Sequence, residues 1–192
     1  MGQEVVMFHS ALGLRPAVGM FADRLRAGGH VVHTPDIVDG ATYDNLVDGA
    51  RKRDAIGIQE LMRRAAAAAA ALPPDIVVAG FSMGAGAAEF LAATRPGTLA
   101  AVLMHGAFAP AAFGIETWPP VPVQVHYAIG DPGVDAGQVE ALETAVRATG
   151  ASIEVFAYDR GSHLFEDAEF EGHDAESAQL MCDRVLAFLD EL

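Results

Sequence analysis

Apolar residues follow two rhythms along the chain. Short runs, mostly continuous and rich in β-branched residues, occupy Val5–His9, Val31–Thr34, Ile76–Phe81, Ala101–His105, Val123–Ile129 and Ile153–Tyr158. Runs of this length without alternation predict strands covered on both faces. Between them, helical spacing predicts helices over Pro16–Ala27, a broad region from Tyr43 to Ala71, Met83–Thr94, Ala136–Thr149 and Ala175–Leu189. Pro16 suits a first helical position, Gly28-Gly29 a stop, and Asp174 an N-cap for the last helix. The alanine tract 65–71 is a strong helix former ended by Pro73-Pro74. Strand and helix in alternation predict a mostly parallel sheet with helices on both sides, built as one domain over residues 1–192. Right-handed crossovers then gather the strand C-termini at one edge, where sites form.

Composition narrows the partners. Hydrophobic residues make up 52% of the chain and charged residues only 20%, the balance of a globular protein. A net charge of −14 repels phosphates and argues against nucleic acid and anionic membrane surfaces. The basic clusters Arg51-Lys52-Arg53 and Arg63-Arg64 read as solvated helix faces. No apolar run reaches membrane-spanning length, and the start MGQEVVMF has no basic leader, so a soluble cytoplasmic protein is expected. Cys182 is the single cysteine, which excludes an intrachain disulfide and fits a reducing compartment. Its place in the final helix predicts a buried structural thiol. The oligomeric state is left open.

The chemistry starts at Gly80-Phe81-Ser82-Met83-Gly84, between the run Ile76–Ala79 and a helical stretch. Strand, sharp turn and helix form the setting of a nucleophile elbow. A Cβ at either flanking glycine would collide with the turn, while the serine hydroxyl is held proud at a helix N-terminus that favours negative charge. An ordinary glycine-rich turn is the bland alternative. A phosphate cradle fits less well, because neither GxGxxG nor GxxxxGK[ST] is present.

A serine needs a base, and the base a carboxylate. Behind such an elbow the chain order is Ser, then Asp or Glu, then His. Asp131 follows the run Val123–Ile129, and His163 follows Ile153–Tyr158, both on the edge that carries Ser82. Alone, Asp131 before Pro132-Gly133 reads as a turn residue and His163 as an exposed loop histidine. Asp135 is a nearby competitor for the acid. In order and each at a strand exit, Ser82, Asp131 and His163 are hard to assemble by accident. His30, His33, His105 and His126 belong to strands or their edges, and His173 to a loop or cap. None has metal-ligand spacing such as HExxH, so no metal and no cofactor are expected.

At this point the chain resembles the dienelactone hydrolase family of α/β-hydrolases over nearly its whole length. The matching pieces are His9-Ser10-Ala11-Leu12-Gly13-Leu14, Ala27-Gly28-Gly29-His30 leading to Thr34-Pro35-Asp36, the elbow, Gly130-Asp131, and Gly161-Ser162-His163-Leu164-Phe165 before a long helix. The resemblance implies Ser82 as nucleophile, Asp131 as acid and His163 as base. The family's namesakes use cysteine at the elbow, where this chain has Ser82. They also carry a substrate-binding arginine four residues after the histidine, where this chain has Asp167, and an acidic residue near the nucleophile that corresponds roughly to Ser10. Dienelactone itself is therefore not the expected substrate. The N-terminal antiparallel strands of larger relatives are not expected. The fold class is a minimal α/β-hydrolase, with a doubly wound six-stranded parallel sheet in order 2-1-3-4-5-6, helices on both faces and no large lid.

The expected activity is hydrolysis of a small-molecule carboxylic ester or lactone through an acyl-enzyme. Backbone N–H groups of Met83 and of Ala11, with Leu12 next, would hold the oxyanion. The segment from Gly106 to Pro120 stands where lipases have a lid. Phe108 and Trp118 from it, with Leu14 and Leu164, are the candidate pocket walls, while Phe113 and Ile115 are expected to pack the core. The alternatives are an acyl-thioesterase and a non-catalytic α/β-hydrolase-fold binding module.

Overall fold

The computed structural model describes residues 2–192. Strands β1 (Glu4–Phe8), β2 (Val31–His33), β3 (Ile76–Phe81), β4 (Thr98–Met104), β5 (Val123–Ala128) and β6 (Ile153–Tyr158) form one sheet in the order β2-β1-β3-β4-β5-β6. Every neighbouring pair is parallel, with Val5 opposite Val77 and Gly80 opposite Leu103. This is the expected order.

The helices are α1 (Pro16–Ala27), α2 (Leu46–Ile56), α3 (Ile58–Ala70), α4 (Met83–Thr94), α5 (Ala136–Ala148) and α6 (Ala175–Asp190). They split between the two faces. Val6 and Phe8 of β1 share a core with Leu61 and Met62 of α3, Leu91 of α4 and Leu142 of α5. Val5 and Met7, one residue out of phase, share the other core with Phe21 and Leu25 of α1 and Met181 and Val185 of α6. A strand loaded on both faces must be apolar at every position, which is why these runs lack alternation. Cys182 lies in the second core, and burial pushes its thiol up to about 11.

Two elements differ from the sequence reading by more than one residue at an end. The region from Tyr43 to Ala71 is two helices, because Gly57 takes φ 86° and ψ 145°, far from helical values. Asn45 caps the first, its side chain accepting the Asp48 amide. Strand β4 begins at Thr98 rather than Ala101, since Thr98 already pairs with Ile76.

In the segment that follows β4, the only helical piece is a 3-10 turn at Pro110–Phe113, so no large lid covers the strand ends. In the basic clusters Arg51 and Arg63 are exposed and Lys52, Arg53 and Arg64 half-buried, and each is paired: Arg51 with Asp48, Lys52 with Asp39, Arg53 with Asp54, and Arg63 and Arg64 with Glu60. Among the described residues no helix is long and apolar enough to cross a membrane.

Candidate active site

Ser82 sits between β3 and α4 with φ 53° and ψ −111°, a conformation that strains any residue with a Cβ. Its neighbours hold it there. A Cβ on Gly80 would lie 2.0 Å from the Gly84 carbonyl oxygen, and one on Gly84 would lie 2.3 Å from that of Phe8. The Ser82 amide donates to the Met104 carbonyl at 2.7 Å, and its own carbonyl accepts the Ala85 amide at 2.9 Å. Strand β4, the first turn of α4 and two close backbone contacts thus fix the turn.

The loops after β5 and β6 bring Asp131 and His163 to the same edge. His163 Nε2 is 2.9 Å from Ser82 Oγ, and His163 Nδ1 is 2.8 Å from Asp131 Oδ2. The other Asp131 oxygen accepts the Gly133 amide at 2.7 Å. Burial pushes the Asp131 carboxyl up, but the His163 bond and charge, the Gly133 amide and His105 together leave it below its usual range. Asp135, the competing acid, is the N-cap of α5 and accepts the Gly137 amide at 2.8 Å.

The loop after β1 faces the elbow from the other side. His9 Nδ1 donates to the Ser10 carbonyl at 2.7 Å, which leaves Nε2 to accept the Ile37 amide at 3.1 Å. The Thr34-Pro35-Asp36 element is therefore tied to the loop through a neutral imidazole, and burial holds that ring below its ordinary range. Ser10 Oγ takes the Leu12 amide at 3.2 Å, so Leu12, the second choice for an oxyanion donor, is already engaged. The Ala11 amide meets no acceptor among the described residues, and Met83 opens α4, where amides lack intrahelical partners.

A cavity of about 440 Å³ opens at Ser82, with Ala11, Met83 and His163 in its wall. Leu46, Ala50, Ile58, Met62, Phe108 and Phe113 make it largely apolar, and Arg53 joins them from α2. Of the candidate wall residues, Phe108 lines this cavity. Trp118, Leu164 and Leu14 are not in this wall. Trp118 is buried in the core, its indole N–H donating to the Val121 carbonyl at 3.0 Å. Leu164 packs into the core on the α1–α6 side, and Leu14 is exposed. Phe113, expected to pack the core, is half-buried against it and also lines the cavity. The walls from α2 and α3 were not anticipated, since nothing in one undivided helical region marks which face turns toward Ser82.

Other site residues also escaped the sequence. Gly49 of α2 abuts the loop after β1, and a Cβ there would lie 2.6 Å from the Ala11 carbonyl oxygen. A Cβ on Gly133 would lie 2.9 Å from the His163 ring. A glycine inside a helical pattern was the available signal at position 49. His105 was read only as a strand-edge residue, and it stands beside Asp131 with its Nδ1 3.9 Å from Oδ2. Ligand atoms of His105, Asp131 and His163 all lie within 4.8 Å of one another. The His163–Asp131 hydrogen bond already uses the atoms a cation would need.

The sequence matches the dienelactone hydrolase family over residues 2–192. No protein of curated function matches the chain. Among solved structures, it is similar to a dienelactone hydrolase-like promiscuous phosphotriesterase from metagenomic libraries, with a TM-score of 0.85, 23% identity, and 99% of this chain and 86% of that one covered. A candidate dienelactone hydrolase from Klebsiella pneumoniae has a TM-score of 0.81 at 21% identity, covering 99% of this chain and 87% of its own. A thermophilic esterase from Thermogutta terrifontis, with propionate bound, has a TM-score of 0.69 at 16% identity, covering 99% of this chain and 83% of its own. At these identities the structures speak for the fold, and the family match speaks for the lineage. The chain belongs to the dienelactone hydrolase family of carboxylic-ester hydrolases.

Proposed function

We propose that the protein is a serine hydrolase that cleaves small carboxylic esters or lactones with an apolar acyl group. The observation that carries this reading is the connected line Ser82 Oγ, His163 Nε2, His163 Nδ1 and Asp131 Oδ2, with contacts of 2.9 and 2.8 Å. Ser82 attacks the ester carbonyl as His163 Nε2 takes its proton. The tetrahedral oxyanion is received by the amides of Met83 and Ala11, each such donor typically contributing about 3 kcal/mol to lowering the barrier. His163 then protonates the leaving alcohol, and the acyl-enzyme forms. Water, deprotonated by the same nitrogen, releases the acid and restores Ser82. Asp131 holds the ring with Nδ1 protonated and stabilises the imidazolium.

The apolar walls from α2, α3 and Phe108 favour a hydrophobic acyl chain over a charged one. A fluorophosphonate probe and a series of p-nitrophenyl esters of increasing acyl length test the reading together. Labelling and turnover are expected in the wild type and absent in Ser82→Ala. An unlabelled, inactive wild type would leave the fold as a binding module.

A further inference from the structure

The loop that supplies His163 also supplies Glu166, and Glu166 meets a histidine that the proposed mechanism does not use. His105 follows β4 at φ 57°, fully buried, its backbone amide fixed to the His126 carbonyl at 2.7 Å. Its Nε2 lies 2.7 Å from Glu166 Oε2. Its Nδ1 lies 3.9 Å from Asp131 Oδ2, the oxygen bonded to His163. The ring stands edge-on to His163 at 5.6 Å and to Phe165 at 4.5 Å between centroids. Among the described residues, neither ring nitrogen of His105 nor Glu166 Oε2 has a well-aligned hydrogen-bond partner, so the 2.7 Å approach is a close contact and not an aligned bond.

A buried imidazole beside a buried carboxylate is costly to fold around, and an apolar pair of the same size packs at least as well. What the pair does have is a place in a line. Glu166, His105, Asp131, His163 and Ser82 follow one another, with each imidazole set between oxygen atoms. Building on the triad reading, we propose that His105 is a positioning residue, which with Glu166 braces the Asp131 carboxylate from the side away from Ser82. Asp131 Oδ1 is held by the Gly133 amide and Oδ2 by His163, and His105 is the third polar group beside that carboxylate, in contact range without a hydrogen bond. Glu166 stands against Nε2 of the His105 ring, whose other nitrogen, Nδ1, faces Asp131. The titratable groups around His105 are Asp131, His163, Glu166 and, one strand over, His126, which is held neutral by burial.

The test uses two variants of the full chain, His105→Phe and Glu166→Gln, and two readouts. NMR follows the titration of the His163 ring, and steady-state kinetics with a short p-nitrophenyl ester gives kcat and KM. His105→Phe removes the imidazole that stands between Glu166 and Asp131 and leaves the Glu166 carboxylate without it, so His163 should titrate higher by about half a pH unit or more. Glu166→Gln removes a negative charge and should move it lower. In both, kcat should fall about tenfold or more with KM little changed, as expected for a loosened acid–base pair. Glu166→Gln keeps the side chain's shape, so it carries the test if His105→Phe does not fold. An unmoved His163 titration in the folded variants overturns the brace. An inactive wild type would instead overturn the triad reading, and the titration would still decide the brace.

Discussion

Arg15 Nε donates to Asp167 Oδ2 at 2.6 Å, and both side chains are buried. The bond joins the loop after β1, which carries Ala11, to the loop after β6, which carries His163. Arg15 also holds the Tyr43 carbonyl at 3.0 Å and Asp44 at 2.9 Å at the entrance to α2. Asp167 occupies the position where the family's namesakes place a substrate-binding arginine. Here the acid is turned into the structure and satisfied by an arginine from across the site, so this position offers no cation to a substrate carboxylate.

Removing one partner leaves the other charge buried alone. Arg15→Met should therefore destabilise the fold by about 3 kcal/mol or more, read as a drop in the urea midpoint. It should also lower kcat, because the His163 loop loses its tether to the loop after β1. A variant with wild-type stability would mean that Asp167 finds another partner or reaches water.

The two acids near His163 separate by their bonds. Asp131→Asn places an amide where His163 Nδ1–H needs an acceptor, and a loss of about 10⁴-fold in kcat is expected, by analogy with the same change in other triads. Asp135→Asn touches only the cap of α5 and should leave kcat unchanged, since asparagine caps about as well. Reversed outcomes would transfer the acid role to Asp135.

How far the sequence carried this site depends on whether contacts were local. The elbow is a five-residue pattern whose physics is complete in itself: two glycines, a strand before and a helix after. Asp131 and His163 were readable because strand exits in a parallel sheet share an edge. Asp36 could be matched as part of a motif but not explained, since its neighbour Ile37 is engaged by His9, 28 positions away. Trp118 was misplaced because an aromatic residue in a loop can as easily cap the core as line a pocket, and the Val121 carbonyl that decides it is invisible in composition. His105 reads as the last residue of a strand, and only its left-handed backbone and the three-dimensional path of the His163 loop put it beside Asp131.

Gly49 gives the oxyanion loop a direct test. Alanine is favoured over glycine in a helix interior by about 1 kcal/mol, so Gly49→Ala would stabilise α2 if nothing stood nearby. The new Cβ would instead lie 2.6 Å from the Ala11 carbonyl oxygen, closer than real Cβ atoms come to any neighbour. Either α2 or the Ala11 loop must shift. The expected result is a loss in kcat that can reach a hundredfold, since small misplacements of a catalytic donor have such effects. Wild-type kinetics with raised stability would show that α2 moves and that the loop keeps its place.

Glu89 links pH to the wall of the cavity. It is wholly buried in α4, and its Oε2 accepts the Phe108 amide at 2.9 Å while Oε1 has no partner among the described residues. Burial pushes its carboxyl up to about 8 from an ordinary value of 4.5, with the Phe108 amide pulling the other way. The folded state thus binds a proton that the unfolded chain releases between those values. Stability from this group is full below about pH 4.5 and declines as pH rises toward 8, at most by about 1.4 kcal/mol per pH unit. Glu89→Gln keeps an acceptor for the Phe108 amide and cannot ionise. The variant and the wild type should unfold at similar urea concentrations at pH 5, and the variant should be more stable by a few kcal/mol at pH 8.5. Stability curves that stay parallel from pH 5 to 8.5 would show that Glu89 does not change its protonation over that interval, against the burial argument.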